Sequence, residues 1–490
     1  VNKFDEIIKL TESKGYNPIV GNIRIKQQQW LNWFRGDVNG FHTFNMKING
    51  IETEFHRLTM NMPKKICEDY HSLIWNDKCQ IKIDNVETKK MVDDVLEDNS
   101  FEVEFGSMME LAFGVGMGYM IEYLEDSVTK IDFINFENAI PLRFDNTKVT
   151  ALLTMNYYKM EKQHITHLVY QYMEDDAYCV EHEVYVSNKE DKLGRKDNSK
   201  LMLITGKKVN KEKFIFKVSK PFFQVIRPNI KNHFDINSPY SVSIYATMLD
   251  YFVACDTLLD ALDGDTETNK TRIIVDGALL KTKVITNDAT GELQYINYFD
   301  KNDKTMLALP FKDSETDQKA IEFFSGVYQH DKIEIGLNAI LRYIGFRAGL
   351  GKNYYSFQDG NVYQNETNVI STNADTYKSK KKHEQVIKQV IKDLVISILE
   401  LEKIAGRYSG DASTENIEII FDDSIVIDDE AIDTKYKELN ASGMLASWRV
   451  VSRILKISET EAKEIVAEAE EASVAKQAAF VKAYDNDDDE

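Results

Sequence analysis

A lysine behind paired glycines is the first place to look for chemistry, and residues 345–360, GFRAGLGKNYYSFQDG, supply one. The GLGKN core has the outline of a loop that cradles phosphates with backbone N–H groups. A Walker A loop needs Gly, four residues, then Gly-Lys-Ser/Thr, whose hydroxyl holds Mg²⁺. Gly351 and Lys352 would require glycine at 346, where Phe346 stands, with Gly345 one place too early. The Mg²⁺ position is Asn353, which has no hydroxyl. A buried strand should precede the loop, yet Ile333, Leu337, Ile340, Leu341, Ile344 and Ala348 recur at helical offsets. Gly349 and Gly351 then read as the C-terminal punctuation of a helix. Spacing disfavours a nucleotide site, and the turn needs another role.

Other constellations fail on geometry. His164 and His167 have the look of a metal pair, but on a strand an offset of three puts them on opposite faces. EHEV (181–184) lacks the second histidine of HExxH. DGDTETNKT imitates a calcium loop from Asp263, but Thr268 stands where the loop needs glycine and Ile274 where it needs glutamate. It reads as a helix stop. FGVGMGYM (113–120) is Gly-x-Gly-x-Gly after a helix, whereas the dinucleotide fingerprint follows a strand, so close packing or a turn accounts for it. Asp422, Asp423, Asp428 and Asp429 have no histidine or lysine nearby in sequence and read as a surface turn. The densest basic run, KSKKKHE (378–384), reads as a solvated helix face in preference to a DNA contact. No catalytic residue, metal or cofactor is expected.

The elements that must position these residues follow from periodicity. HRLTMNMPKKICEDYHSLIW (56–75) has a helical apolar face, with Pro63 marking either a kink or a start near 62. QIKI (80–83) reads as a strand, and 87–97 and 101–113 as helices. Between 118 and 227 the period changes to two, as in HITHLVYQYM and AYCVEHEVYV. A meander and a sandwich both fit that unit. Ser238-Pro239 predicts a helix start, with Tyr245, Met248, Leu249, Phe252, Cys255, Leu259 and Leu262 on its apolar face. A smaller strand-rich island spans 272–325, a helix 332–349, and a long helix about 366–405. EIIFDDSIVIDD gives a strand and an acidic turn, and 430–484 is helical with a capping box at Ser458 and Glu461. The acidic end, DNDDDE, reads as a solvated tail.

Composition sets the remaining bounds. The 490 residues are 43% hydrophobic and 11% aromatic, enough for a sizeable core, and only 7 are proline. Four cysteines (67, 79, 179, 255) in no metal-ligand spacing point to reduced thiols. No apolar run approaches the roughly 18 residues of a membrane helix, which points to a soluble protein made in the cytoplasm. The formal net charge of −20 argues against a protein that grips the phosphate backbone, since tight binding needs clustered cations.

The order of elements is long helix, small β island, second helix, glycine-bounded polar-aromatic turn, very long helix. With HRLTMNMPKKICEDYHSLIWNDKCQI (56–81), GLGKNYYSFQDGNVYQNETNVISTNADTYKSKKKHE (349–384), IIFDDSIVIDD (419–429) and SETEAKEIVAEAEE near the C-terminus, it resembles the portal, or head-to-tail connector, proteins of tailed phages of Gram-positive bacteria. The likeness covers most of the chain and is weakest in the β region.

The resemblance implies an α+β fold and a ring, dodecameric in the virion, at one capsid vertex. The N-terminal region and β-rich wing would be 1–237 and the first stem helix 238–268. A small α/β clip would be 269–326, the second stem helix 327–349 and the tunnel loop 350–365. The long helix and return strand would be 366–429, and the helical crown 430–490. Lys352, Asn353, Tyr354, Tyr355, Phe357, Gln358 and Asp359 would be loop residues in the channel, bracketed by Gly349, Gly351 and Gly360 in a mobile loop (350–363) that contacts or gates DNA, where the plainer alternative is a solvent-exposed connector. Glu334, Asn338 and Arg342, read as a polar stripe opposite the apolar face of the preceding helix, would line the channel. Implied partners are further copies of the chain, double-stranded DNA, major capsid and scaffold proteins, the terminase motor and a head-completion adaptor, with no membrane. Twelve copies at −20 each give −240, a charge suited to a conduit that must not bind its cargo. Two other readings stand beside this one: a head-tail structural or adaptor protein without a DNA channel, and a metal- or nucleotide-dependent enzyme.

Overall fold

The computed structural model describes residues 2–18, 20–48, 51–160, 162–174, 177–206, 209, 211–218, 220–269, 272–275, 281–286, 293–298, 321–324, 326–357, 366–422, 436–455, 462–469 and 471. The chain opens with helices α1 (Lys3–Ser13) and α2 (Gly21–Arg35). Asn2 and Asp5 cap α1 reciprocally, each side chain accepting the other's backbone N–H, at 2.9 and 3.2 Å. A hairpin of β1 (Thr43–Ile48) and β2 (Ile51–His56) leads to α3 (Met62–Ile74). Pro63 lies in its first turn, where a missing N–H is harmless, so the periodicity from 56 resolves as a start near 62 without a kink. β3 (Gln80–Ile83), α4 (Val86–Asp98) and α5 (Phe101–Val115) follow as expected.

The β-rich unit comprises two antiparallel sheets. β4 (Gly118–Glu125) and β5 (Val128–Ile134) form a hairpin whose Asp126 and Ser127 both take positive φ, the geometry of a two-residue primed turn. Then come β6 (Ala139–Asp145), β7 (Lys148–Met160), β8 (Gln163–Glu174), β9 (Ala177–Ser187), β10 (Arg195–Lys196), the short α6 (Leu201–Ile204), β11 (Lys213–Phe216) and β12 (Phe223–Ile226). The larger sheet is a meander in the order β10-β9-β8-β7-β6, with β11 also on β9; the smaller is β12-β4-β5. Ile7 of α1 packs into the larger sheet with Leu153, Leu168 and Tyr170.

The helix expected from Ser238 is corrected. α7 (Leu249–Thr268) begins at Leu249, and 238–248 is irregular although Tyr245 and Met248 are buried. Serines there satisfy the backbone locally, Ser243 Oγ accepting from Tyr245 N–H, and tertiary bonds complete the diversion. Ser241 Oγ donates to the Pro228 carbonyl at 2.8 Å, and Ile244 N–H donates to that of Phe113 at 2.9 Å. The stop expected in DGDTETNKT (263–271) is where α7 ends: its last residue is Thr268, and Asn269 N–H closes the last turn on the Asp265 carbonyl.

Beyond α7, β13 (Arg272–Val275) pairs with a later strand, β16 (Ile321–Phe324), around a hairpin of β14 (Lys281–Thr286) and β15 (Leu293–Tyr298). The chain then builds α8 (His330–Ala348), the 39-residue α9 (Glu366–Ile404), β17 (Ile417–Ile420) on β3, and α10 (Ser447–Leu455), with further helical segments at 436–441 and 462–469. Residues 305–311, Gly360, Asp423, Asp428, Asp429, Ser458, Glu461 and the acidic tail lie outside the described residues. No helix among the described residues is long and apolar enough to cross a membrane.

One continuous core joins these helices. Ile66 and Tyr70 of α3, Phe105, Met109 and Phe113 of α5, Phe252 of α7, Leu341 and Ile344 of α8, and Ile387, Ile391 and Leu394 of α9 all belong to it. The four cysteines are free thiols. The architecture is α+β, with a sheet unit on a helical hub from which α7 and α8 extend as an antiparallel pair.

Candidate functional site

The glycine turn hangs from the end of α8. Gly349 takes φ +80° as the left-handed cap, and Gly351 takes +92°. A Cβ on Gly349 would lie 2.4 Å from Ser379 Oγ, and one on Gly345 would lie 2.5 Å from the Gly351 carbonyl, so packing as well as φ demands glycine here. Two clamps hold this cap from opposite ends of the sequence. Tyr70 of α3 donates its hydroxyl to the Ala348 carbonyl at 2.6 Å, and Thr376 of α9 donates to that of Leu350 at 2.7 Å. Leu350 is fully buried. The backbone that would have cradled a phosphate is therefore spent on helix termination and packing.

The loop residues divide into anchors and exposed groups. Tyr355 is half-buried and donates to Asp69 Oδ2 at 2.8 Å, while Lys65 pairs with the other oxygen of Asp69 at 2.5 Å. Burial and that carboxylate raise the Tyr355 phenol far above its ordinary range. Tyr354 sits edge-on to Tyr355 with ring centroids 5.0 Å apart, and burial pushes its own phenol up to about 12. Lys352, Asn353, Tyr354 and Phe357 are exposed, Tyr354 the least so at 39%. Gln358 and Asp359 lie outside the described residues. Over 350–357 the turn is bonded to α9, α3 and α8 through Leu350, Tyr355 and Phe357, and the rest of the mobile loop expected over 350–363 lies outside the described residues.

The polar stripe on α8 is corrected as well. Glu334 is exposed and Arg342 half-buried, but Asn338 is buried, its Oδ1 accepting from Phe357 N–H at 2.9 Å. Asn338 therefore orients the loop and shares no open face with Glu334. Opposite the buried face of Leu337, Leu341, Ile344 and Ala348, and next to Arg342, α8 exposes three large apolar side chains, Ile335 (71%), Phe346 (66%) and Tyr343 (56%), flanked by exposed Lys332 and Arg347.

The basic run is not a solvated face. Lys380 of α9 is fully buried, ion-paired to Glu384 at 3.0 Å and donating to the Asp422 carbonyl beyond β17. Lys381 reaches the same glutamate at 2.9 Å. His383 is buried edge-on to Tyr70, accepting from Asn229 N–H at 3.0 Å, and burial beside Lys382 pushes its imidazole down to about 3. Lys378 and Lys382 remain exposed. The run is a fastening between the long helix, β17 and the segment after β12.

His164 and His167 do point apart, and the sheet brings His167 to His182 of the EHEV stretch instead, ring nitrogens 3.0 Å apart. Burial pushes both imidazoles down to about 4. Among the described residues no three metal-ligating side chains gather. Asp422 accepts from Asn76 at 3.2 Å with Lys78 at 3.7 Å, so the acidic turn has a lysine partner that sequence distance concealed. Gly116 and Gly118 pack against Ser241 and Met108, consistent with a close-packed turn. Sequence reading missed Asp69, Tyr70, Thr376 and Ser379 as loop supports. The Lys65–Asp69 spacing on one helix was the only local signal, because their loop partners lie far along the chain.

A family model described as phage portal protein, SPP1 Gp6-like, matches residues 28–475. No curated protein matches the chain. Among solved structures, one chain of the virion of a native gene transfer agent (GTA) particle is 12% identical, with 91% of this chain and 97% of that one covered at a TM-score of 0.41. A chain from the neck of the native GTA particle, computed with C12 symmetry, is 10% identical, covering 80% and 88% at a TM-score of 0.35. On the family match, which spans nearly the whole sequence, this chain belongs to the SPP1 Gp6-like phage portal proteins and serves as a structural portal protein.

Proposed function

We propose that twelve copies of this chain close into a ring at one capsid vertex, through which double-stranded DNA passes during packaging and ejection. One observation within the protomer carries the reading. α8 already buries Leu337, Leu341, Ile344 and Ala348 in its own core, yet its other side exposes Ile335, Tyr343 and Phe346. A helix that buries one apolar face and still exposes a second group of large apolar side chains marks a surface that a partner covers. Contacts between unlike patches that close produce rings.

Within that ring the wing is 1–237, the first stem helix is α7 and the second is α8. The loop 350–365 meets DNA, 366–429 returns through the long helix, and 430–490 is the crown. Lys352 is the only cation between 350 and 365, so the loop's grip on phosphate is weak, as passage requires. Lys352 and Asn353 are the loop's DNA-facing groups, Gln358 and Asp359 are further candidates by sequence alone, and Tyr355 serves as an anchor. The clip 269–326 docks the head-completion adaptor through strand edges, which are natural templates for a partner. Capsid, scaffold and terminase proteins are the remaining partners, and the ring itself hydrolyses no nucleotide.

Negative-stain imaging of the purified full chain tests the reading: averages with a central hole support it, and compact particles without one oppose it. For the last point, turnover of ATP that Lys352→Ala abolishes would contradict a non-enzymatic ring.

A further inference from the structure

On one side of α8 lies an exposed apolar stripe, of which only Tyr343 is partly covered, stacked on Tyr251 of α7 at 6.2 Å, and on the other lies an apolar groove. At about 100° per residue, Ile335, Tyr343 and Phe346 fall within about 80° of arc, and Leu341 lies about 160° from the middle of it. Leu341 forms one wall of a groove of about 470 Å³, closed by Met60 and Met62 before and within α3 and by Tyr354 and Phe357 of the turn. Phe357 is 59% exposed at its mouth.

Charge is divided in the same sense. Lys332 is exposed on the stripe side of α8, whereas Glu334 is exposed toward the groove side, and Glu68 stands on the groove's rim. The rim lysines, Lys64 and Lys65, are already turned onto Glu68 and Asp69 at 3.4 and 2.5 Å. Stripe and groove are thus both apolar, with exposed Lys332 beside the one and exposed Glu334 toward the other, but they are different surfaces. A two-fold dimer needs one self-complementary patch, whereas unlike patches on opposite sides of an element make head-to-tail contacts that close by rotation.

We infer that the α8 stripe of one copy inserts beside the groove between α3 and the 354–357 turn of the next copy, with Lys332 facing Glu334 across the contact. The inference rests on the ring reading above and specifies its interface. It also gives Tyr354 and Phe357 an assembly role, leaving Lys352 and Asn353 to the channel.

The test uses the full chain carrying Phe357→Cys with either Ile335→Cys or Phe346→Cys, treated with a short bis-maleimide and separated under denaturing conditions. Each single variant controls for the native thiols. The expected result is a ladder of covalent multimers from at least one double variant and from none of the three single variants. In parallel, Phe346→Asp should lower the assembled fraction roughly tenfold or more while circular dichroism stays that of the native protomer. Closed rings that give no ladder, and whose assembly Phe346→Asp leaves unchanged, would overturn this interface and leave the ring standing. A wild-type chain that never assembles would overturn both.

Discussion

α5 and α8 are both rich in apolar residues, and they end in different situations. α5 places Phe101, Phe105, Met109, Ala112 and Phe113 in a core made by its own chain and turns Glu102 and Glu104 to water. α8 completes only one side in that way. The first helix therefore belongs to the protomer's stability and the second also to its assembly. Substitutions should separate the two.

The largest effect is expected in the hub. Phe105 is fully buried, stacked on Phe101 at 4.8 Å and edge-on to Trp75 at 5.6 Å. Phe105→Ala should cost about 3–5 kcal/mol in denaturant unfolding of the protomer. A loss under about 1 kcal/mol would mean that α5 is not the finished core helix described here.

Next is the buried lysine that fastens the long helix. Lys380→Met leaves Glu384 with Lys381 alone and the Asp422 carbonyl without its donor, which should cost about 3 kcal/mol. If stability is unchanged, the lysine is dispensable and the solvated-face reading of the basic run regains ground.

The sheet unit supplies a pH test. His167 and His182 are held neutral, pushed down to about 4, whereas the unfolded chain takes up protons near 6.5. The stability this contributes is full above pH 6.5 and is lost as pH falls toward 4, up to about 3 kcal/mol per ring. Thermal unfolding of wild type across that window should slope more steeply than that of a His167→Gln, His182→Gln variant. Equal slopes would show that the pair does not govern the acid response.

The smallest protomer effect is expected on α8. Phe346→Ser removes an exposed side chain and should change protomer unfolding by no more than about 0.5 kcal/mol, whatever it does to assembly. A loss comparable to that of Phe105→Ala would erase the distinction between the helices.

Much of this organisation is legible in the sequence. The 3.6-residue pattern places α3, α5, α8 and α9, and the change to period two places the sheet unit. What resisted reading depends on partners remote in the chain. The segment 238–248 loses its helix to bonds with Pro228 and Phe113, and Lys380 is buried because residues beyond β17 return to it. Tyr355 is an anchor because Asp69 waits 286 residues earlier. The α8 stripe was readable: Ile335, Tyr343 and Phe346 share a face at offsets of 8 and 11. Arg342 adjoins Ile335 and Phe346 on the helix surface, so a polar and an apolar stripe both fit the spacing, and it is the burial of Asn338 that breaks the polar one.

The most direct test of the account is the native mass of the purified wild-type chain over a range of concentrations. Closure predicts one dominant species at a single fixed multiple of the 56.5 kDa protomer, twelve by the proposed stoichiometry, with no continuous series above it. Monomer or dimer alone at the highest concentration, with or without scaffold or capsid protein, would contradict it.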